Sequence, residues 1–341
     1  LAADTGINIR VVPEVNPMLR FKWVKTGLFH SVAESPSMVA DLMEAKAGNA
    51  VRDGGPFQIR LMYSYSMSNS GFVVRGDSDI YEPSDIKPGV KFVDFAFFPG
   101  FIEGFPSALM AWAGVDIDDV EWVPVGSYGA AMRAISDGKA DISMAFNTSP
   151  ATVEAAAAPH GIRFINLPAD EDPEGARRFL EFYPVISFGE ATQGPPEAIA
   201  GVTTTLANTG IYVRADADPD LIYHLAKWLD ENYDSFKDNH AWNQYMTIDT
   251  LMDLTETCFI PVHDGLKKYL NEKGLWTAAH EARQQQNIDL ITQYVEAYQA
   301  AKDEADDTGI AVDPTTEEWL ELWASYKADI PRFSMFLGLE E

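Results

Sequence analysis

The chain has 341 residues, of which 46% are hydrophobic and 23% are charged. This composition is typical of a folded protein of about two domains, and it excludes a disordered chain, collagen and a coiled-coil rod. The sum of 25 basic and 52 acidic residues is a net charge of -27. We therefore predict no nucleic-acid partner, because nucleic acids bind to positively charged surfaces. We also predict no direct membrane insertion, because no apolar run reaches the roughly 18 residues of a spanning helix.

The residues that usually carry catalysis or hold metals lack the expected spacing. Cys258 is the single cysteine, which excludes an internal disulfide and a cysteine-based metal cage. The six histidines show no H-x-x-x-H or H-E-x-x-H pattern, and the sequence contains no P-loop, G-x-G-x-x-G or G-x-S-x-G motif. We predict a protein without catalytic residues, metal or cofactor.

The apolar periodicity alternates between short extended runs and helix-length amphipathic runs, which is typical of parallel βαβ units. In the first series, Ser35 and Pro36 form an N-cap and a first-turn proline. The elements predicted for this series are a strand at 7–13, a helix at 17–27, a strand at 28–34, a helix at 35–47 and extended structure at 58–67.

A second series follows, and its helices have clearer start and stop signals. Ser127 is expected to cap one of them, and Gly114 and Gly138 to end two. The predicted elements are a strand at 91–98, a helix at 105–114, a strand at 121–125, a helix at 127–138, a strand at 140–146, a helix at 149–158 and a strand at 162–167. A short helix capped at Asp172 and an extended segment at 204–214 come next, and the rest of the chain is mainly helical.

This order predicts an α/β fold of two lobes, with the second series inserted into the first domain. A helical C-terminal region cannot complete a parallel sheet of its own, so it should cover the sheet of the first domain. We assign 1–68 and 208–275 to lobe 1, 69–207 to lobe 2, and 276–341 to a helical extension packed on lobe 1. Two crossing segments, at 66–71 and 203–209, are the expected hinges.

Ligands in open parallel sheets bind beyond the carboxyl ends of the strands, where helix N-termini present free N–H groups. If the two lobes face each other across the hinges, the loops at these ends line a single cleft. Arg75 is a candidate partner for a ligand carboxylate, and the simpler interpretation is a surface ion pair. The predicted ligand-binding residues are Ser35, Tyr63, Pro99, Gly100, Ser127, Asn147, Thr148 and Thr205.

Several segments resemble a known family. They are the helix and strand around Asp137, Gly138 and Asp141, and a motif of Pro261, His263, Gly265 and Tyr269 with Gly274. The chain, over roughly residues 1–276, is similar in these segments to the TAXI family of solute receptors of TRAP transporters.

The resemblance implies a periplasmic-binding-protein fold, a periplasmic location, a small organic anion as ligand and TRAP membrane permease subunits as partners. Glutamate, glutamine and dicarboxylates are the acids that it implies. It also implies an opening strand and a threonine-glycine-serine turn ahead of Leu1. The family's tyrosine-proline-glycine loop is altered at 191–198.

The function expected from these observations is capture of a small organic acid, either a carboxylate or an amino acid, between two lobes for delivery to a permease. One alternative is an enzyme on the same scaffold. Another is an assembly protein that acts through its C-terminal helices. Ile288, Ile291, Val295 and Tyr298 recur there at helical spacing, and this stripe either packs on lobe 1 or docks a partner.

Overall fold

The computed structural model describes residues 1–14, 16–95, 104–336 and 338–339. The chain forms two compact units. Unit 1 comprises Leu1–Ser66 and Asn208–Glu341, and unit 2 comprises Met67–Ala207. The chain passes from one unit to the other after Ser66 and again after Ala207. The predicted α/β class is confirmed.

The helices and strands are, in chain order, α1 (Ala2–Thr5), α2 (Pro17–Lys25), β1 (Ser31–Glu34), α3 (Pro36–Met43), β2 (Ile59–Arg75), β3 (Lys91–Asp94), α4 (Phe105–Ala113), β4 (Glu121–Pro124), α5 (Tyr128–Ser136), β5 (Ser143–Phe146), α6 (Pro150–Ala156), β6 (Ile162–Phe164), α7 (Pro173–Phe182), β7 (Ser187–Glu190), α8 (Pro196–Ile199), β8 (Thr203–Arg214), α9 (Pro219–Glu231), α10 (Ile248–Thr257), α11 (Asp264–Glu272), α12 (Ala278–Thr308) and α13 (Glu317–Lys327).

Unit 2 contains the predicted series of strands and helices from β3 to β6. β3 pairs with β4 in parallel, and Phe92 forms a parallel bridge with Ile142, just before β5. β5 and β6 both run antiparallel to β2. The four strands β3, β4, β5 and β6 therefore share one direction, and helices connect them as parallel strands require.

The helices of unit 2 begin and end at the residues that the sequence indicates. The side chains of Ser127 and Ser149 accept hydrogen bonds at the first turns of α5 and α6. Gly114 and Gly138 follow α4 and α5 in the left-handed conformation, with φ of 69° and 68°. Glycine adopts this conformation without the steric penalty of a Cβ atom.

In unit 1, β1 pairs with the second half of β8 in antiparallel register, from Ser31 opposite Val213 to Glu34 opposite Gly210. Leu61 of β2 forms a parallel bridge with Val262. The βαβ pattern predicted for the first series is therefore only partly right. Residues 7–13 form no strand, because Ile9 and Val11 are exposed and neither pairs with a described strand.

The proline-histidine-glycine motif holds α11 in place within unit 1. The Pro261 carbonyl accepts from the Leu61 N–H, and His263 caps α11 by accepting the Gly265 N–H at Nδ1 over 3.1 Å. A side chain at Gly265 would overlap the carbonyl oxygen of Pro219. Tyr269 donates to Asp230 at the end of α9 over 2.6 Å. The motif thus fixes the packing of α11 against α9.

The C-terminal helices pack within unit 1. Gln284 and Asn287 of α12 bind the backbone of Val262 and Cys258. Trp319 of α13 donates to the Ala50 carbonyl over 2.8 Å. The buried face of α12 includes Ile291 and Tyr298 of the predicted apolar stripe, whereas Ile288 and Val295 are only partly buried.

β2 and β8 are neighbours in the sheet, and each runs through both units. Buried hydroxyl pairs join them on both sides of the unit boundary. Ser66 and Thr209 form one pair, and Ser70 and Thr205 form the other. Among the helices that the structure describes, none combines the length and the apolar character needed to cross a bilayer.

Candidate functional site

The carboxyl ends of three parallel strands meet on one edge of unit 2. Phe95 directly follows β3, Ser127 lies three residues after the end of β4, and Asn147 directly follows β5. In parallel sheets this edge is where helix N-termini and loop side chains converge on ligands. We take this strand edge as the candidate site.

α5 presents its N-terminus at the strand edge. Ser127 is exposed, and its Oγ accepts from the Ala130 N–H over 3.2 Å. The Arg133 side chain lies back over the first turn, since a Cβ atom at Gly129 would be 3.4 Å from its Nη1. A helix N-terminus favours negative charge, and a guanidinium beside it adds to that preference.

Tyr128 fixes the end of β5 against α5 and α6. Its hydroxyl accepts from the Phe146 N–H over 2.8 Å and lies 2.8 Å from Thr152 Oγ1. Thr152 donates to the Phe146 carbonyl over 2.9 Å, so the tyrosine hydroxyl donates to Thr152. Burial raises the pKa of the Tyr128 phenol, although these hydrogen bonds oppose the shift. The phenol therefore stays protonated at neutral pH.

Three aromatic rings line the same edge. The Tyr128 ring stacks on Phe95 with centroids 6.1 Å apart and lies 5.8 Å from the Phe146 ring. Phe146, the last residue of β5, is 48% exposed. The rings offer an apolar wall next to the polar end of α5.

Asn147 is fully buried, and its side-chain amide has no partner. Its N–H donates to the Asn69 carbonyl over 3.2 Å, but neither Oδ1 nor Nδ2 makes a hydrogen bond. A Cβ atom at Gly194 would lie 3.1 Å from the Asn147 Cβ, so the loop after β7 packs directly on this residue. Buried polar groups in folded proteins are almost always paired.

Thr205 belongs to a different polar pair. Its Oγ1 donates to the Ser70 carbonyl over 2.6 Å and accepts from the Ser70 hydroxyl over 3.0 Å. Asn69, which adjoins Asn147, instead donates to Thr204 over 3.2 Å. Consecutive residues of a strand point to opposite faces of the sheet, so the Thr205 hydroxyl lies on the other face from the pair of Asn69 and Thr204.

The strand edge therefore brings together Ser127, Asn147 and Thr148, the last of which is exposed. Pro99 and Gly100 lie outside the described residues. Arg75 pairs with Asp77 over 2.6 Å, which matches the simpler of its two interpretations.

Ser35 and Tyr63, the predicted site residues of unit 1, occupy two separate environments. The Ser35 Oγ caps α3 by accepting from the Met38 N–H over 3.4 Å, and it lies 2.8 Å from the Ser37 hydroxyl. Tyr63 is completely buried and its hydroxyl has no hydrogen-bond partner. Burial, with a smaller effect of the Asp230 charge, raises the pKa of the Tyr63 phenol.

The sequence did not identify the ion pair next to Ser35. Glu34, which ends β1, is buried and pairs with Arg20 of α2. Burial raises the pKa of the Glu34 carboxyl, against the opposing effects of the Arg20 charge and the Ser35 N–H. No spacing rule links the two residues, because they lie on separate elements.

Residues 38–274 match the sequence profile of the NMT1-like family. The chain belongs to the NMT1-like family. The match includes the whole of unit 2 and ends before α12. No curated protein matches the sequence of this NMT1-like chain.

Solved solute-binding proteins are similar to this NMT1-like protein at low identity. The open, unliganded L-cystine solute receptor of Neisseria gonorrhoeae is 15% identical, with a TM-score of 0.36 over 69% of this chain and 74% of that one. The periplasmic aliphatic sulphonate binding protein of Escherichia coli is 15% identical, with a TM-score of 0.37 over 81% and 74%. An ancestral cationic amino acid solute binding protein is 14% identical, with a TM-score of 0.39 over 72% and 81%.

The strand edge of the NMT1-like protein offers binding groups: helix N–H groups, a guanidinium, an amide and aromatic rings. Burial raises the pKa of the Cys258 thiol to about 12, so this thiol is protonated and unreactive at neutral pH. Among the described residues, no group of three histidine, cysteine or acidic side chains is arranged to hold a metal ion.

Proposed function

We propose that this protein is an extracytoplasmic solute receptor that captures a small organic acid, either a carboxylate or an amino acid, without a chemical step. In this proposal it delivers the acid to the membrane subunits of a TRAP-type transporter, as its resemblance to TAXI receptors implies. The observation that carries the proposal is the strand edge of unit 2, where the N-terminus of α5, Arg133 and the exposed Phe146 ring adjoin.

The charge of the protein makes this edge distinctive. A surface with a net charge of -27 repels anions in general. A small acid then needs a local positive potential, and the end of α5 with Arg133 supplies one. The aromatic rings would contact the apolar part of the acid, so the same edge accommodates both ends of such a molecule.

The first experiment is native mass spectrometry of the purified protein, which should detect a small acid bound in a one-to-one complex. A thermal-shift series with succinate, glutamate and aromatic acids would follow. At a hundredfold excess over Kd, a true ligand adds about 2.7 kcal/mol of stability. No bound molecule and no stabilisation by any acid would refute the proposal.

Arg133→Gln tests the role of the guanidinium. We expect the affinity for a carboxylate ligand to fall about tenfold, with little effect on the unfolding temperature because Arg133 is exposed. Arg177→Gln is the matched control, since Arg177 is also exposed and pairs with Glu174 and Glu181 of its own helix. Equal affinities of the two variants would exclude Arg133 from the site.

Bending of β2 and β8 is the proposed motion on ligand binding, because these strands run through both units. Hydrogen exchange should therefore change on ligand addition within residues 66–70 and 205–209. Unchanged exchange there would refute a hinge at these strands.

The transporter type needs its own test. Uptake of the bound acid into sealed vesicles that contain the membrane subunits should require this protein and an ion gradient. Uptake that instead requires ATP would refute the TRAP assignment and leave the receptor function intact.

A further inference from the structure

Asn147 is unusual among the buried residues of the protein. Among the described residues it is the only side chain with two buried polar atoms that lack any hydrogen-bond partner. An amide of this kind destabilises a folded protein, because water would satisfy both atoms in the unfolded chain. In a native structure such a group calls for an explanation, and a bound molecule that completes its hydrogen bonds is one.

Asn69, the neighbour of Asn147 across the strands, provides the contrast. It is also buried, but its Nδ2 donates to Thr204 Oγ1 over 3.2 Å. The Asn147 backbone is held by the hydrogen bond from its N–H to the Asn69 carbonyl, and Gly194 packs beside its Cβ. Its two side-chain polar atoms nevertheless have no partner.

We infer that Asn147 selects the ligand, and that the ligand carries a primary amide or ureido group in addition to its acid. This inference rests on the proposed function. A carboxamide presents one acceptor and two donors in a plane, so a group that offers a donor and an acceptor side by side pairs with its oxygen and with one of its N–H bonds. An amide or ureido edge does so through two nearly parallel hydrogen bonds.

Other polar groups satisfy Asn147 only in part. A carboxylate has acceptors alone, so it would bind Nδ2 and place its negative charge against Oδ1. An ammonium group has donors alone and would leave Nδ2 unpaired.

The first test measures stability without ligand and compares two similar substitutions. Asn147→Leu replaces the unpaired amide by an apolar group of similar size, and we expect the unfolding temperature to rise by about 2–4 °C. Asn69→Leu removes a satisfied amide and strips Thr204 of its partner, so its unfolding temperature should fall. A fall of similar size in Asn147→Leu would overturn the inference, because the amide would then be satisfied in the native protein, for example by an internal water molecule.

The second test measures ligand preference by isothermal titration calorimetry. Succinamate and succinate differ only in one amide, and N-carbamoyl-β-alanine and glutarate form a second pair with a ureido group. We expect the parent protein to bind the amide and ureido compounds at least about tenfold more tightly than the diacids. In Asn147→Leu this preference should disappear.

The results separate this inference from the proposed function. Diacids that bind as tightly as their amide counterparts, or a preference that survives in Asn147→Leu, would overturn the role of Asn147 and leave the receptor function in place. A co-purified acid without an amide or ureido group would do the same. Only the absence of any bound acid in native mass spectrometry, together with no stabilisation by any acid, would refute both.

Discussion

Gln284 joins the long helix α12 to the sheet of unit 1, and its replacement should strongly destabilise the protein. Its Nε2 donates to the Val262 carbonyl over 2.8 Å, and its Oε1 accepts from the Val262 N–H over 2.8 Å. Both residues are buried, and Val262 bridges Leu61 in β2. The glutamine amide therefore pairs with Val262 as a neighbouring strand would.

Gln284→Ala leaves both backbone groups of Val262 buried without partners. Each unsatisfied group costs about 1–3 kcal/mol, and partial entry of water offsets some of the sum. We expect the free energy of unfolding to fall by about 2–4 kcal/mol, a large share of the 5–15 kcal/mol typical of folded proteins.

Urea denaturation followed by circular dichroism measures this loss. Gln284→Met keeps most of the side-chain volume but no hydrogen bond, so it should lose nearly as much stability as Gln284→Ala. Gln285→Ala is the exposed control, because Gln285 donates to Asp289 on the exposed face of α12, and its effect should stay below about 0.5 kcal/mol. A Gln284→Met protein as stable as the parent would show that the two hydrogen bonds to Val262 contribute little to stability.

Three further predictions concern stability. Trp319→Phe keeps an aromatic ring but removes the donor to the Ala50 carbonyl, so urea denaturation should show a loss of about 1–3 kcal/mol. Gly265→Ala should lower stability by a similar amount in the same assay, because the methyl group would overlap the Pro219 carbonyl; Gly126→Ala, which meets no atom within 4 Å, should not. Burial and the Lys302 charge lower the pKa of Lys25 to about 8, so between pH 8 and about 10.5 the unfolded chain binds more protons at this residue than the folded one. The parent should therefore gain stability relative to Lys25→Met as pH rises through this window, and a constant difference between the two proteins at pH 7, 8.5 and 10 would contradict the shift.

The elements of unit 2 could be predicted from the sequence because local signals determine their limits. A serine cap at Ser127 and a first-turn proline at Pro150 mark the starts of two helices. Gly138 marks the end of one, because glycine readily adopts the left-handed conformation found there. These signals act within a few residues, so they are visible without knowledge of the fold.

Elements that depend on distant partners could not be predicted in this way. The apolar run at 7–13 has the composition of a strand, but it pairs with no described strand and forms none. β7 has a weak sequence signal, and it forms a strand because it pairs with Thr203–Leu206 of β8. The buried face of α12 carries Arg283, Gln284 and Asn287, and their partners are backbone groups that the sequence does not reveal.

The candidate site shows the same limit. The rule on strand ends selected Ser127 and Asn147, and both lie at the strand edge. The same rule gave no indication that the Asn147 amide is unpaired, or that the Thr205 hydroxyl is bound to Ser70. Which hydrogen bonds are made depends on side chains from other elements, and only the folded structure brings these together.

The way α12 binds the backbone of unit 1 has a practical consequence for protein production. The match to the family profile ends at residue 274, which makes 38–274 an obvious fragment to express. Such a fragment would lack the side chains that bind the carbonyls of Glu256, Cys258 and Val262. The fragment would expose backbone groups and apolar side chains that α12 covers in the full chain. It should therefore aggregate into inclusion bodies when it is expressed.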